Sequence, residues 1–356
     1  MKIRKKRWLT GVMIVMSVLI LGVIIAAIWY RQMLQPVDPN KQQPVQVTIE
    51  KGMTTNQLAK TLEQKQLIRS AFAFSVVVRL SGAHAFQAGT YSIKPSQSLP
   101  EIVRHLTGGQ AEMMSVTFYP GATLDTKATS GRTTTVASVL KKAGFSDEQI
   151  QQAFRAEYTG AALAGRPAGA GLEGYIYGET YSISSDASAQ QVLQRAVTHF
   201  SQIVTKYDLE RKFASRGLTL YQGITLASIV QKESKGCGAG VTVCEDQRQI
   251  ASVFYNRLKK DIPLGSDVTY HYAADKAGVA RDHTLNSPYN TRLHKGLPPG
   301  PIAVPGLSAL NAVADPATTD NLYFISGDDD VTYFGKTEAD HQANVKAHCA
   351  KKCLLP

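Results

Sequence analysis

The chain is poor in cysteine and tryptophan, with four and two among 356 residues. Its surplus of basic charge is spread without long runs beyond the first seven residues. No stripe of basic residues interleaved with aromatics occurs, so the electrostatic footprint of a nucleic-acid binder is missing and nucleic acid is not an expected partner. No internal repeat is found, which argues against a solenoid or propeller. No charged residue occurs from Trp8 to Tyr30. That absence is the first positive signal in the chain.

At about 1.5 Å per residue this uncharged stretch spans a hydrocarbon core of about 30 Å. Trp8, Trp29 and Tyr30 sit at its two ends, as interfacial aromatics do. Lys2, Arg4, Lys5, Lys6 and Arg7 precede it, and such a basic cluster stays in the cytoplasm, so the rest of the chain is expected outside. A cleaved signal peptide would have a shorter apolar region followed by small residues. Here Trp29-Tyr30-Arg31-Gln32 follows, so a single uncleaved anchor is expected. Of the net charge of +11, five charges belong to the basic cluster, leaving about +6 (11 − 5) on the outer part. That part is long enough for two domains with real cores.

The cysteines fall in two close pairs, Cys237 with Cys244 and Cys349 with Cys353. Outside the cytoplasm disulfides are the first reading, and four cysteines allow three connectivities. A pairing of 237 with 244 would staple the loop just after Glu233. Zinc is the alternative, with His348 beside Cys349 as its only nearby support, but the spacings do not fit a standard finger.

Residues 31–44 read as a polar linker carrying Pro36, Pro39 and Pro44. A small block over 45–110 follows. Val45–Ile49 alternates as a strand, Thr54 to Leu67 and Ala71 to Ser81 read as helices, 88–93 as a second strand, and Leu99 to Leu106 as a helix stopped by Gly108-Gly109. This block resembles a LysM-like module, a small fold that grips glycan chains, through Val47-Thr-Ile-Glu-Lys-Gly52 and the helix through Gln57-Leu58-Ala59. A larger domain is expected over 111–347, with a tail at 348–356. Its strand at 115 precedes helices near 133–143 and 147–157. The run Leu172 to Tyr181 reads as strand-rich. Helices are expected over 187–213, 219–233 and 246–260. The remainder reads as loop-rich, ending in a hairpin through Leu322–Ile325 and Thr332–Phe334. The fold class is α+β: a single N-terminal transmembrane helix, a small LysM-like α/β module and a larger mixed domain.

Glu233 is the strongest candidate for chemistry. Thr219 and Gln222 form a capping box that starts its helix. Stepping back from Glu233 by helical intervals meets Val230, Ile229 and Leu226, so the carboxyl lies on the apolar stripe. Desolvation there would lift its pKa from about 4.3 toward neutrality and make it a proton donor. A Glu in a last helical turn can also simply face solvent.

Several motifs then occur in one order: Leu172-Glu-Gly-Tyr175, Leu226-Ala-Ser-Ile-Val-Gln-Lys-Glu233, Ile250-Ala-Ser-Val-Phe-Tyr-Asn-Arg-Leu258, Leu264-Gly-Ser-Asp267, Ser287-Pro-Tyr-Asn-Thr291, Gly296-Leu-Pro-Pro-Gly-Pro-Ile302 and Leu322-Tyr-Phe324. Together they resemble the endolytic murein transglycosylase family, the YceG-like proteins, over roughly residues 45–346. The resemblance implies a membrane-anchored enzyme that cuts peptidoglycan glycan strands internally and leaves 1,6-anhydro-N-acetylmuramic ends. It implies Glu233 as the general acid and base, with no cofactor and no metal. It also suggests penicillin-binding proteins of wall synthesis as partners. The chain departs from the family at Gln231, where an earlier Glu is usual, at Gly178-Glu179 in place of Pro-Asp, and at Val268 in place of Pro. An inactive, wall-binding scaffold is the alternative, and Gln231 is its sequence support.

The substrate-binding set expected around Glu233 is Asp267, Ser266, Tyr289, Asn290, Thr291 and Glu173. Asp267 can orient a sugar hydroxyl or N-acetyl group through a charge-assisted hydrogen bond, or else cap the segment after it. Ser266 is its neighbour in the same motif. Tyr289, Asn290 and Thr291 offer ring stacking and hydrogen bonds suited to N-acetyl sugars, or a turn around Pro288. Glu173 can support the site or serve the fold. His341 also matches a family position and reads equally as a packed structural residue.

Overall fold

The computed structural model describes residues 2–50, 52–82, 86–108, 113–126, 134–184, 187–238 and 240–354, with backbone alone for 2–15, 18, 113 and 354. It divides into two compact units, Met1–Met114 with Ser182–Ala187, and Ser115–Tyr181 with Ser188–Pro356. The class is mixed α+β. Thirteen α-helices and three two-stranded sheets occur among the described residues.

The first unit begins with α1 (Lys2–Met33). Its described apolar residues, Leu19, Ile20, Leu21, Val23, Ile24, Ile25 and Ile28 among them, are exposed on every side of the helix. Among the described residues no helix is long and apolar enough to cross a membrane. The side chains of the basic cluster and, in the expected anchor, of residues 8–15 and 18 lie outside the described residues.

Beyond α1 come β1 (Val45–Ile49), α2 (Thr55–Gln64), α3 (Ala71–Ser81), β2 (Gly89–Ile93) and α4 (Leu99–Thr107). The two strands pair antiparallel with Val47 opposite Tyr91. Alternation sends Val47, Ile49, Tyr91 and Ile93 inward onto Leu58, Leu62, Phe74 and Leu106 from the helices. Thr54 and Gln57 make the reciprocal cap that starts α2. The helix stops before Leu67 because Gln66 adopts a left-handed conformation, φ 55°. Of the expected Gly108-Gly109 stop, Gly109 lies outside the described residues.

The polar segment after α1 is fastened to this unit. Leu34 packs on the core, and its carbonyl accepts from the Leu99 amide at 3.0 Å. Asp38 N–H donates to Pro95 O at 3.1 Å, and the Arg69 guanidinium donates to Pro36 O at 2.7 Å and to Val37 O at 3.2 Å.

In the second part of the chain, β3 (Met113–Thr117) pairs with β4 (Thr180–Ser184). The helices are α5 (Val136–Lys142), α6 (Asp147–Arg155), α7 (Ala189–Lys206), α8 (Leu209–Ser215), α9 (Leu220–Glu233), α10 (Glu245–Lys259), α11 (Asp267–Ala277) and α12 (Leu307–Ala314). An antiparallel hairpin of β5 (Tyr323–Ser326) and β6 (Thr332–Gly335) precedes α13 (Glu338–His348). α9 is the centre of the core and packs on α8, α10, α11 and α12. Gly223 lets α8 approach: a Cβ there would lie 2.1 Å from the Phe213 ring.

Three expectations are corrected. The run from Leu172 to Tyr177 is a turn, because Tyr175 and Ile176 are both wholly buried rather than alternating, and extended structure starts only at Thr180. The helix expected over 187–213 is two helices, because Asp208 is left-handed with φ 53° and redirects the chain. The remainder called loop-rich contains α11, α12 and α13. α12 is too short for a periodic signal, and α13 has no buried residue and hence no apolar stripe.

Both local disulfides are formed, Cys237–Cys244 and Cys349–Cys353. Among the described residues no group of His, Cys, Asp and Glu is arranged to hold a metal ion.

Candidate active site

Glu233 ends α9, and Thr219 and Gln222 form the capping box that begins the helix. Every residue from Gly223 to Val230 is buried, so the helix is fixed along most of its length. The last turn opens outward, and Glu233 is partly exposed at its surface. Its carboxyl is nevertheless pushed up to about 7 by burial. The Ser266 hydrogen bond pulls it down, the nearby Asp267 charge pushes it up, and Arg292 pulls it down again. A carboxyl balanced near neutrality can both give and take a proton.

Ser266 Oγ donates to Glu233 Oε1 at 2.5 Å. Ser266 is itself immobilised: its amide donates to Thr291 Oγ1 at 3.1 Å, and its carbonyl accepts from Thr269 Oγ1 at 2.6 Å. Gly265 makes this turn feasible, with φ +66° and the Arg257 guanidinium 2.7 Å from where a Cβ would sit. Asp267 starts α11 and forms an ion pair with Arg292, with both side chains partly exposed.

Two residues expected to bind sugar face inward instead. Asn290 has no exposed surface. Its amide donates to His283 O and Leu285 O, both at 2.9 Å, and its oxygen accepts from the Arg292 amide at 3.1 Å. Thr291 is buried on Ser266 and Thr269. Each shapes the turn that presents Arg292 and Ser266. Tyr289 keeps part of its ring exposed and tilts against Tyr272 at 5.1 Å between ring centroids.

Glu173 is buried away from solvent, and burial pushes its carboxyl up to about 7. It accepts from the Leu124 amide at 3.1 Å and from the Tyr272 hydroxyl at 3.1 Å. It therefore ties the 121–126 loop to α11. Neighbouring Gly174 has φ +83°, and a Cβ there would fall 2.5 Å from Pro301. The Ile302 amide in turn donates to Ser228 Oγ on α9 at 3.0 Å. Motifs far apart in sequence thus meet around one helix.

Several side chains make contacts that their sequence neighbours do not announce. Gln231 Oε1 accepts from the Gly306 amide at 2.9 Å, so this departure from the family pattern serves the fold. Gln247 donates to Ser234 Oγ at 2.9 Å and steadies the chain just after Glu233. On α10, Tyr255 donates to Val313 O at 2.9 Å, and Asn256 donates to Thr319 O and Asn321 O, both at 2.9 Å. Arg257 donates to Leu322 O at 2.6 Å and to Leu264 O at 3.0 Å. The one available signal was three hydrogen-bonding side chains in succession directly after the apolar stretch Ile250 to Phe254. His341 stacks on Tyr323 with centroids 5.4 Å apart, and burial lowers its pKa.

Fold and site together describe an α+β protein whose central helix ends in a carboxyl raised toward neutrality. The YceG-like family model matches residues 47–347. An endolytic murein transglycosylase of Bacillus subtilis is 30% identical over 336 residues, covering 92% of this chain and 91% of that protein. One from Streptococcus pneumoniae is 31% identical over 349 residues, covering 90% of this chain and 61% of the longer relative. A crystal structure of a YceG-like protein from Listeria monocytogenes matches with 28% identity and a TM-score of 0.49, covering 85% of this chain and 99% of that one. The chain belongs to the YceG-like family.

Proposed function

We propose that this chain is a membrane-anchored endolytic murein transglycosylase. The observation that carries the reading is the Glu233 carboxyl, lifted to about 7 and held by Ser266. Glu233 donates its proton to the oxygen linking C1 of N-acetylmuramic acid to C4 of N-acetylglucosamine. The C1–O bond breaks, and the glucosamine leaves with its hydroxyl restored. The muramic C6 hydroxyl then attacks C1, and the Glu233 carboxylate takes its proton. The acid is regenerated, no water is consumed, and the product ends in a 1,6-anhydro ring. One carboxyl serves both halves, unlike the two-carboxylate arrangement of hydrolytic glycosidases.

Asp267, Arg292 and Tyr289 are the site residues with exposed surface available to a sugar. Ser266, Thr291, Asn290 and Glu173 hold them in place. The first unit, with its two-stranded sheet and three packed helices, is consistent with a LysM-like grip on the same strands. An apolar helix exposed all round needs a non-aqueous partner, which supports α1 as a single anchor in the cytoplasmic membrane. Two formed disulfides agree with an extracytoplasmic catalytic domain. Peptidoglycan strands are the substrate, and penicillin-binding proteins are the expected neighbours on family grounds.

Mass spectrometry of sacculi digested by the full-length protein tests the reading. Anhydro-ended muropeptides are expected, and they should vanish with Glu233→Gln. Reducing-end products would overturn it in favour of hydrolysis, and binding without turnover in favour of a scaffold.

A further inference from the structure

Helix α3 carries an outward apolar row at helical spacing, Phe72, Val76 and Leu80. Phe72 is 68% and Leu80 75% exposed, although Phe74 and Val78 on the opposite face of the same helix are buried in the core. A row of this kind on a small soluble module calls for a partner.

Three observations identify the partner. The Trp29 ring on α1 lies 6.4 Å from the Phe72 ring, so the row begins beside the aromatic end of the uncharged helix. The chain has no slack there: Leu34, Pro36, Val37 and Asp38 are all bonded to the module within a few residues of the end of α1. Two exposed cations are close in sequence, Arg31 two residues after Trp29 and Arg79 next to Leu80. Apolar rings with flanking arginines match the boundary between acyl chains and anionic headgroups.

We infer that the α3 face lies on the lipid surface, with Phe72 and Leu80 dipping into the interface. The module is then a second membrane contact, about 12 Å long from Phe72 to Leu80, beside the anchor. The inference rests on reading α1 as an anchor, and it adds that the first folded module does not float free above the bilayer.

Fluorescence depth quenching tests it on the full-length chain in anionic vesicles. In a Trp8→Phe, Trp29→Phe background, Phe72→Trp places a single reporter on α3, and Leu19→Trp places one in α1. The lipids carry bromine either near the carbonyl end or near the methyl end of the acyl chain. Emission from position 72 should fall by about half with carbonyl-end bromine and change little with methyl-end bromine. Position 19 should show the reverse order. Quenching at 19 with none at 72 overturns the inference and leaves the anchor standing. Absence of quenching at both overturns both. Shielding of position 72 from aqueous acrylamide without bromine quenching means that a protein, such as a second copy of the chain, covers the face, and this also overturns the inference. Leu80→Trp in the same background repeats the measurement with the native Phe72 in place.

Discussion

The Ser266 hydroxyl reaches across 33 residues of sequence to donate to Glu233 at 2.5 Å. It is the side chain that directly grips the proposed acid, and its own amide and carbonyl are both fastened by threonines.

Loss of the carboxyl should be nearly total in effect, and loss of its partner partial. Glu233→Gln should lower the rate by about two to four powers of ten or more. Ser266→Ala removes one hydrogen bond to a charged group, about 1.5–3 kcal/mol, or roughly tenfold to a hundredfold in rate. Since the Ser266 bond pulls the Glu233 pKa down, its removal should shift the alkaline limb of the pH–rate profile to higher pH. An unmoved limb would separate Ser266 from the acid's titration.

Stability should fall as pH rises. Glu233 and Glu173 both titrate at about 7 in the folded chain against an ordinary 4.5. The folded state therefore holds these protons more tightly than the unfolded state. The advantage is complete below the ordinary value and is lost as pH passes the folded one. At about 1.4 kcal/mol per pH unit, each group contributes at most roughly 3–4 kcal/mol to this slope. Denaturant midpoints measured at acid and at mildly alkaline pH should show the decline, and Glu233→Gln should flatten part of it.

Glu173→Ala should unfold the protein more readily than Glu173→Gln. Alanine leaves the Leu124 amide and the Tyr272 hydroxyl without the acceptor they share. Each buried unpaired group costs about 1–3 kcal/mol. Glutamine retains an acceptor oxygen for one of them. Equal denaturant midpoints for the two variants would refute the tie.

Opening the Cys237–Cys244 loop should cost about 2 kcal/mol from chain entropy, by paired Ser substitution. Because that loop leaves directly from Glu233 and returns at the start of α10, activity should fall alongside thermal stability. Full activity in the doubly substituted chain would show that the staple serves folding alone.

Gly174→Ala should be among the most harmful single changes. The φ of +83° and the Pro301 contact at 2.5 Å combine backbone strain with overpacking. Each term is worth about 1–3 kcal/mol. Poor expression or a sharply lowered melting temperature is the expected readout.

Much of this architecture was readable where local chemistry and long-range packing agree. The strand Val45–Ile49, the helix Ala71–Ser81 and the closing hairpin follow from alternation, spacing and turn residues. The capping box at Thr219 and the stripe behind Glu233 put Glu233 in the last turn of a helix over 219–233, where α9 has it. What could not be read depends on partners distant in sequence. Nothing local to Ser266 says that its hydroxyl meets α9. Asn290 and Thr291 have the chemistry of sugar ligands, yet the turn around Pro288 spends it on the backbone. Helix α13 buries none of its residues and so writes no period into the sequence.

Tyr255, Asn256 and Arg257 gather carbonyls from 263–264, 313 and 319–322 onto one turn of α10. Three adjacent residues can do this only at one angular setting of that helix. Inserting a single residue earlier in α10 would rotate all three by about 100° and release every captured strand and loop together. The segments they hold can change length without that penalty, so evolutionary insertions in this half of the molecule are expected in the loops and never within the helical hub.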